Sequence, residues 1–311
     1  MYIDFHCDSL MGVVNGDRRL IERGEGHLDL PRLKEAGALM QVFACFVDDE
    51  YVKKEAANRT LAMIDSFYKE AGNSGGLLRP VLSYDDLAAV KAGGGVGGML
   101  SIEGGESLEG SLYILRSFYR LGVRAITLTW SRRNELGDGV GEDSGSGLTE
   151  FGRNVVKEMN RLGMIVDVSH LNEKGFWDVI DACGAPVIAS HSDCKALCSN
   201  KRNLTDEQIR AIADADGVIG INFYAGFLND DEGQAGMQDI VRHIDHIADV
   251  AGIDHVGFGS DFDGCHLPGD MSGAENMPAI LHSLLDNGYG KDDVDKISYK
   301  NWERVIKRVL G

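Results

Sequence analysis

Residues 149–170 read TEFGRNVVKEMNRLGMIVDVSH, which is a helix pattern followed directly by a strand pattern. Thr149 is suited to cap the helix, apolar residues follow it at helical spacing, and Gly163 is suited to end it. The run after Gly163 is short, apolar and β-branched, and it finishes in His170. Near-continuous apolar strands that alternate with helices predict a parallel sheet covered by helices.

The same alternation of strands and helices runs along the chain. Thr205 opens a second clear helix, because Gln208 stands three residues later as a capping box requires. Eight repeats favour a closed barrel over an open doubly wound sheet, and no glycine-rich dinucleotide motif follows the first strand. We therefore predict one (β/α)8 TIM-like barrel domain over residues 1–311. The eight strand-like runs are residues 2–6, 39–47, 98–103, 125–129, 164–170, 186–191, 218–223 and 255–261.

The composition restricts the class of protein. The 311 residues carry a formal net charge of -18, from 31 Lys and Arg against 49 Asp and Glu, which disfavours nucleic-acid binding. Six scattered cysteines form no disulfide framework, and Cys194 and Cys198 lack the second pair that would complete a structural zinc site. No stretch is apolar enough to span a membrane, and we expect no signal peptide. We expect a cytoplasmic protein with no nucleic-acid or membrane partner.

Side chains that can bind a metal stand where several predicted strands end. A parallel barrel brings the carboxyl ends of its strands together, although they are far apart in sequence. His6 and Asp8, at the end of the first strand, have the i, i+2 spacing that directs side chains to one side of a strand. A carboxylate can bridge two cations, and neutral imidazoles are common metal ligands. The set therefore predicts a site for two divalent metals, with the ligands His6, Asp8, Glu103, His170 and His191.

A further carboxylate follows the last strand. Asp261 ends that run and could ligate a metal or accept a proton from metal-bound water, whereas Asp263 belongs to a turn-like Asp-Gly pair. We favour Asp261 for this role. His243 and His246 have a ligand-like helical spacing, but we place them on a helix outside the barrel. Residues 134–147 are rich in glycine and could form either a mobile lid or an ordinary flexible loop.

The most specific stretches are DFHCD at 4–8, SIEG at 101–104, GLTEFGR at 147–153, NRLGMIVDVSH at 160–170, ASHS at 189–192, KRNL at 201–204 and GFGSDFDG at 257–264. In this order they resemble the membrane dipeptidase (renal dipeptidase) family, peptidase family M19 of the amidohydrolase superfamily. The resemblance runs nearly from end to end. It implies a distorted (β/α)8 barrel of the metal-dependent hydrolase type, in agreement with the strand count.

The resemblance also implies how the metals are held. His6 and Asp8 would bind one zinc, and His170 and His191 would bind the other. Glu103 would bridge the two zinc ions and so belong to the catalytic centre.

The resemblance implies further roles around the metals. Asp261 would be the catalytic aspartate that transfers a proton. Arg202 would bind the terminal carboxylate of the substrate, and Tyr224 would line the same subsite. Without the resemblance, Arg202 is interpreted as a cation in a loop and Tyr224 as a core aromatic.

One position departs from the mammalian members of the family. Trp130 follows the fourth strand, where those members carry a substrate-contacting His. An indole donates one hydrogen bond and cannot carry a proton through a catalytic cycle. Stabilisation of the oxyanion and substrate preference therefore depend on another donor, for which Asn134, Arg132 and Arg133 are candidates.

The expected activity is zinc-dependent hydrolysis of a dipeptide, including dipeptides with a D-residue at the C-terminal position, by a hydroxide that bridges the two metals. Other divalent metals could replace zinc. An alternative is an amidohydrolase acting on N-acyl amino acids or cyclic amides at the same site, which Trp130 favours. A metal-binding homologue without catalysis is the less favoured alternative. A homodimer is an expectation from the family alone.

Overall fold

The computed structural model describes residues 1–52 and 54–311. The strands of the described residues are β1 Tyr2–Asp4, β2 Ala38–Phe46, β3 Leu78–Pro80, β4 Val96–Glu103, β5 Val123–Thr127, β6 Ile165–Asp167, β7 Val187–Ile188, β8 Ile219–Ile221 and β9 Val256–Phe258. They join into one parallel sheet, in the order β7-β6-β5-β4-β2-β1-β9-β8, with β3 beside β4.

The sheet closes into a barrel at the seam between β7 and β8. Ala189 and Ile219 form an isolated parallel bridge there. The Ala189 amide donates to Val218 O at 3.1 Å, and Gly220 N donates to Ala189 O at 2.8 Å. Eight parallel strands therefore surround one interior, and the predicted (β/α)8 TIM-like fold is confirmed.

One short strand lies outside the predicted eight. Leu78 to Pro80 pair with the first residues of β4, whereas β5 pairs with the second half of β4 from Leu100 onward. β3 thus extends the edge of the barrel wall before β5 begins. Pro80 lacks an N–H, so it can stand only where no ladder bond is needed from that atom.

Helices connect the strands and cover the outside of the barrel. The predicted Thr149 cap accepts a hydrogen bond from Gly152 N, and Gly163 ends that helix at φ 70°. The predicted capping box of Thr205 and Gln208 is present as well. The α-helices described are α1 Ser9–Asn15, α2 Leu30–Glu35, α3 Asp49–Val52, α4 Ala56–Asn73, α5 Tyr84–Gly93, α6 Leu112–Arg120, α7 Glu150–Leu162, α8 Glu173–Ala182, α9 Asp206–Asp214, α10 Ala225–Leu228, α11 Met237–Ala251, α12 Met277–Asp286, α13 Lys291–Asp295 and α14 Asn301–Leu310.

The last helix closes the amino end of the barrel. Trp302 of α14 is fully buried and stacks on Phe5, with ring centroids 3.9 Å apart and 17° between the planes. Its indole Nε1 donates to Phe258 O at 3.1 Å, which satisfies the one polar atom of the ring. Phe5 directly precedes His6, so α14 packs immediately beneath the first predicted ligand.

The strands that carry the predicted ligands are shorter than the sequence suggested. β6 ends at Asp167, β7 at Ile188 and β9 at Phe258, each three residues before the group of interest. His170 and Asp261 follow in the left-handed region, at φ 68° and 62°. No described helix meets the length and apolarity needed to cross a bilayer.

Candidate active site

A cavity of about 510 Å³ opens at the carboxyl end of the barrel strands. Carboxylates and imidazoles form its floor. The Arg202 guanidinium and the rings of Tyr224 and Phe227 lie on one side, and the apolar side chains of Met11, Phe46 and Trp130 lie on the other. The lining residues are Asp8, Met11, Phe46, Glu103, Trp130, Ser131, His170, Arg202, Tyr224, Phe227, Asp261, Asp263, Gly264, Cys265 and His266.

Glu103, the last residue of β4, lies at the centre of the floor and is almost fully buried. Its Oε1 is 2.9 Å from His170 Nε2 and 3.5 Å from His191 Nε2. Its Oε2 is 3.3 Å from His6 Nε2. The two oxygens of one carboxylate therefore face two different sets of imidazoles. The ring nitrogens of His170 and His191 are 2.9 Å apart.

The second set of ligand-type atoms surrounds His6. His6 Nε2 is 3.5 Å from Asp8 Oδ2 and 3.8 Å from Asp261 Oδ1. His6 Nε2 and Asp8 Oδ1 are buried and have no hydrogen-bond partner among the described residues. A buried polar atom without a partner is costly, and a cation at this position would satisfy both atoms. The donor set of imidazole nitrogens and carboxylate oxygens fits zinc and similar divalent metals.

The charges of these groups are strongly coupled. Burial alone would raise the pKa of Glu103, but the surrounding imidazoles hold that pKa well below its usual value. Burial alone would lower the pKa of His6, yet Glu103 and Asp8 outweigh it and raise that pKa well above 6.5. Burial lowers the pKa of His170 to about 4 and lowers that of His191 as well. The last two imidazoles are therefore neutral at pH 7 and can offer a lone pair.

Asp261 lies beside His6, in the second set of ligand-type atoms, and is held by Asn222. Asn222 Nδ2 donates to Asp261 Oδ2 at 3.0 Å, and Asn222 Oδ1 accepts from Tyr224 N at 2.6 Å. Burial is the main reason that the pKa of Asp261 rises to about 8; His6 opposes this, and Asp8 adds to it. A carboxyl group with such a pKa can exchange protons near neutral pH.

Asp263, the rival carboxylate, is occupied by other contacts. Its Oδ2 accepts from Ser9 Oγ at 2.5 Å and from Arg18 Nη1 at 2.8 Å, and its Oδ1 accepts from His27 N at 2.5 Å. These bonds join the loop after β9 to the segment around α1. The next residue, Gly264, has no room for a side chain, because a Cβ there would lie 2.0 Å from Asp8 Oδ2.

Arg202 and Tyr224 both line the cavity. The Arg202 guanidinium is buried and donates to Ser192 Oγ from Nη1 and to His191 O from Nη2, both at 2.8 Å. Its Nε has no partner among the described residues. A guanidinium carries five N–H groups in all, so donors remain for a ligand. Phe227 flanks it, with the ring centroid 5.6 Å from the guanidinium carbon.

Trp130 forms the opposite, apolar side of the cavity. Its ring meets Phe46 edge to face, with centroids 5.4 Å apart, and Met11 lines the same side. The centroid of the His170 ring is 6.1 Å from that of Trp130. Ser131 also lines the cavity, and its Oγ lies 3.2 Å from His170 Nδ1.

The replacement donors considered for Trp130 do not line the cavity. Asn134 Nδ2 donates to Glu106 Oε2 at 2.9 Å and to Leu128 O at 3.0 Å, so its amide holds its own loop. Arg132 pairs with Asp49. Arg133 pairs with Asp138. Sequence position alone could not reveal these competing partners.

The loop at residues 134–147 is fastened to the next strand connection. Val140 N donates to His170 O at 2.7 Å, and Asn172 N donates to Asp138 O at 3.1 Å. This loop therefore supports the backbone of His170. His243 lies on α11 as expected and is buried, with Nδ1 3.0 Å from Cys194 N and Nε2 3.0 Å from Leu228 O.

Two serine–carboxylate pairs beneath the floor were missed in the sequence. Ser260 donates from N and Oγ to Asp4, at 2.8 and 2.5 Å. Ser190 donates from N and Oγ to Asp167, also at 2.8 and 2.5 Å. Each Ser directly precedes a site residue, and each Asp ends a strand just before a site histidine. The recurrence of these pairs is the signal that could have found them.

Comparisons with known proteins give the family. The sequence profile of the membrane dipeptidase family, peptidase family M19, matches residues 1–310. The chain belongs to this family. Dipeptidase tcpJ of Claviceps purpurea is 32% identical over 297 residues, which are 91% of this chain and 69% of that protein. By family, the chain is a metallo-dipeptidase.

Two solved structures share nearly the whole fold. The dipeptidase AC, a metallo peptidase of family M19, is 34% identical with a TM-score of 0.94, covering 100% of this chain and 98% of that one. A metallo peptidase from Rhodobacter sphaeroides, solved with a phosphinate mimic of the dipeptide L-Ala-D-Ala, is 33% identical with a TM-score of 0.93 and covers 99% of both chains.

Proposed function

We propose that this protein hydrolyses dipeptides at a site for two zinc ions or similar divalent metals. The observation that carries the proposal is the position of Glu103, whose Oε1 faces His170 and His191 while its Oε2 faces His6. One carboxylate between two sets of ligands is suited to bridge two cations. Asp8 would complete the set around His6.

The chemistry that two bound divalent metals supply is polarisation of the scissile carbonyl and a lowered pKa for water. The residues of the chain do the rest. Asp261, whose Oδ1 lies 3.8 Å from His6 Nε2, takes a proton from the attacking water and passes it to the leaving amine. Asn222 holds Asp261 in place through the 3.0 Å hydrogen bond to Oδ2.

Arg202 is suited to bind the terminal carboxylate of a dipeptide. Its remaining N–H groups can form a charge-assisted pair with a carboxylate, which favours substrates that end one residue after the cut. Tyr224 and Phe227 flank this end of the cavity. The Rhodobacter sphaeroides relative was solved with a mimic of L-Ala-D-Ala, and we extend to this chain a tolerance for a D-residue at the C-terminal position.

The first residue of the dipeptide would lie at the apolar end of the cavity. Met11, Phe46 and Trp130 line that end and offer no carboxylate to a free amino group. An apolar side chain is therefore the best match for the N-terminal residue. The same surface favours the second candidate function, an amidohydrolase that removes acyl groups from N-acyl amino acids.

Metal analysis and a substrate panel test the proposal. Purified protein should hold about two zinc-like ions per chain and cleave L-Xaa-D-Xaa or L-Xaa-L-Xaa dipeptides faster than N-acetyl amino acids. Faster cleavage of the N-acetyl compounds would favour the second candidate. Tight metal binding with no turnover on any substrate would indicate a non-catalytic homologue.

Two matched variants then identify the proton-transferring carboxylate. Asp261→Asn should abolish turnover while the metals remain bound. Asp263→Asn should mainly lower stability, because the amide keeps only one of the two oxygens that accept from Arg18, Ser9 and His27. Full activity in Asp261→Asn would remove Asp261 from proton transfer.

A further inference from the structure

The carboxylate of Asp167 accepts four hydrogen bonds beneath His170 and His191. Its Oδ1 accepts from Ser169 N at 3.0 Å and from Ser190 N at 2.8 Å. Its Oδ2 accepts from Ser190 Oγ at 2.5 Å and from Thr127 Oγ1. All of these residues are buried, so the arrangement is shielded from water.

The hydroxyl of Ser190 stands between Asp167 and His191. Ser190 Oγ is 2.7 Å from His191 Nδ1. A serine has one hydroxyl hydrogen, and Ser190 donates it to Asp167 Oδ2 at 2.5 Å, because a carboxylate oxygen is the stronger acceptor. Ser190 Oγ must then accept a hydrogen from His191 Nδ1. The imidazole proton is thereby fixed on Nδ1, and the lone pair is left on Nε2, which faces Glu103 Oε1 at 3.5 Å.

We propose that Asp167 and Ser190 are positioning residues that fix the tautomer of His191 and so prepare its Nε2 to bind a metal. The inference rests on the proposed two-metal function. Hydrogen bonds to the second nitrogen of a ligating histidine typically change metal affinity about 10–100-fold when removed. Here the carboxylate acts through an intervening hydroxyl.

The Asp4–Ser260 pair has the same geometry without an imidazole. Ser260 Oγ donates to Asp4 Oδ2 at 2.5 Å, as Ser190 does to Asp167. The hydrogen that Ser260 Oγ accepts comes from the backbone N of Phe262, at 3.2 Å. The shared geometry joins neighbouring strands. The Asp4–Ser260 pair contacts only the backbone of His6, whereas the Asp167–Ser190 pair contacts the imidazole of His191.

His170 has a different arrangement. Its Nδ1 lies 3.2 Å from Ser131 Oγ, and no carboxylate accepts the hydroxyl hydrogen of Ser131 among the described residues. No described carboxylate therefore decides whether Ser131 Oγ or His170 Nδ1 is the donor in that hydrogen bond. The fixed tautomer is a property of His191 rather than of both histidines.

Asp167→Asn provides the sharpest test, because an amide reverses the direction of the chain of hydrogen bonds. The Asn oxygen would keep the two backbone N–H groups, and its NH₂ would replace Oδ2 and donate to Ser190 Oγ. Ser190 would then donate to His191 Nδ1 and drive the imidazole proton to Nε2. We expect Zn²⁺ and Co²⁺ affinity at one of the two sites to fall about 100-fold, measured by chelator competition.

Ser190→Ala should weaken the same site less, by about 10-fold, because His191 loses its partner but is not forced into the wrong tautomer. The double variant Asp167→Asn/Ser190→Ala should then bind metal better than Asp167→Asn alone. Without the Ser190 hydroxyl, nothing donates to His191 Nδ1 and drives the imidazole proton to Nε2. A double variant that binds worse than both single variants would overturn the proposal.

Thr127→Val is the matched control. It removes the other hydroxyl donor to the same oxygen of Asp167 and leaves Ser190 and His191 in contact. It should lower the melting temperature, because a buried hydrogen bond is lost, while metal affinity stays within about twofold of the unmodified protein. Equal losses of affinity in Thr127→Val and Ser190→Ala would mean that Asp167 acts only on stability. If the unmodified protein itself binds no metal, the proposed function fails instead.

Discussion

Asn222 donates from Nδ2 to Oδ2 of Asp261 at 3.0 Å. The same amide accepts from Tyr224 N through Oδ1, and the backbone N of Asn222 donates to Asp193 Oδ1 at 3.1 Å. One side chain from the end of β8 thus links the proposed proton-transferring residue to the proposed substrate subsite. Asp261 itself stands at a positive φ, which surrounding contacts must stabilise.

Replacing this amide by a carboxylate removes the bond to Asp261 and places a second acidic group beside it. Asn222→Asp keeps an oxygen for Tyr224 N but removes the donor to Asp261. We expect kcat to fall about 10–100-fold, because a hydrogen bond to a charged group contributes about 1.5–3 kcal/mol. KM should change little, since Arg202 and Tyr224 remain in place. Steady-state kinetics on a cleaved dipeptide decide the point, and a rise in KM with unchanged kcat would contradict it.

Glu103→Gln should empty at least one metal site. The Gln side chain keeps the shape of Glu103 but carries no charge. An NH₂ group takes the place of one oxygen, so one set of imidazoles loses the anionic partner that Glu103 provides to both. We expect fewer than two metals per chain and activity below about 1% of the unmodified protein. Elemental analysis after dialysis gives the metal count. Two tightly held metals in this variant would show that Glu103 does not bridge them.

Phe46→Ala should weaken the preference for dipeptides whose N-terminal residue is apolar. Phe46 lines the cavity opposite Arg202 and packs against Trp130. For Leu-D-Ala, kcat/KM should fall about 10-fold or more, while that for Gly-D-Ala should change much less, because glycine makes no side-chain contact there. Tyr113→Ala, on the exposed face of α6, is the control for loss of an aromatic ring. Equal losses on both substrates would reject an apolar subsite.

His243 should make stability depend on pH. Burial lowers its pKa from 6.5 to about 4, so the unfolded chain binds a proton at a higher pH than the folded chain does. Its contribution is present above pH 6.5 and is lost as pH falls toward 4. At pH 5 the loss is on the order of 2 kcal/mol.

Urea denaturation at pH 7 and pH 5 measures this loss. His243→Gln should be less stable at pH 7 but should lose less stability on acidification than the unmodified protein. Metal-stripped protein is used in both cases, so that protonation of His170 and His191 affects the two proteins alike. Identical pH slopes would exclude His243 as the source.

The barrel was predictable because its strands are apolar and its helices carry clear caps. The runs that became β1, β2, β4 and β5 were found nearly in full, and the caps at Thr149 and Thr205 are present. The sequence did not predict β3, because Leu78–Pro80 is short, includes Arg79 and Pro80, and carries no strand signal. Its pairing depends on the bare backbone edge of β4, which no periodicity reveals.

The candidate site was predictable as a set but not in its detail. Ligand-type residues after parallel strands had to converge, and Glu103 does lie between His6 and His170. The left-handed turns at His170 and Asp261 and the bonds of Asn222 depend on tertiary contacts. The role predicted for Asn134 stays a prediction, and its Nδ2 is bonded to Glu106 and Leu128 O, contacts that sequence position does not reveal.

The packing of Trp302 on Phe5 ties the site to the far end of the polypeptide. The floor under His6 is complete only when α14 has folded against β1 and β9. Helix α14 follows every predicted ligand in the sequence, so the support beneath His6 comes from a segment that contributes no ligand of its own.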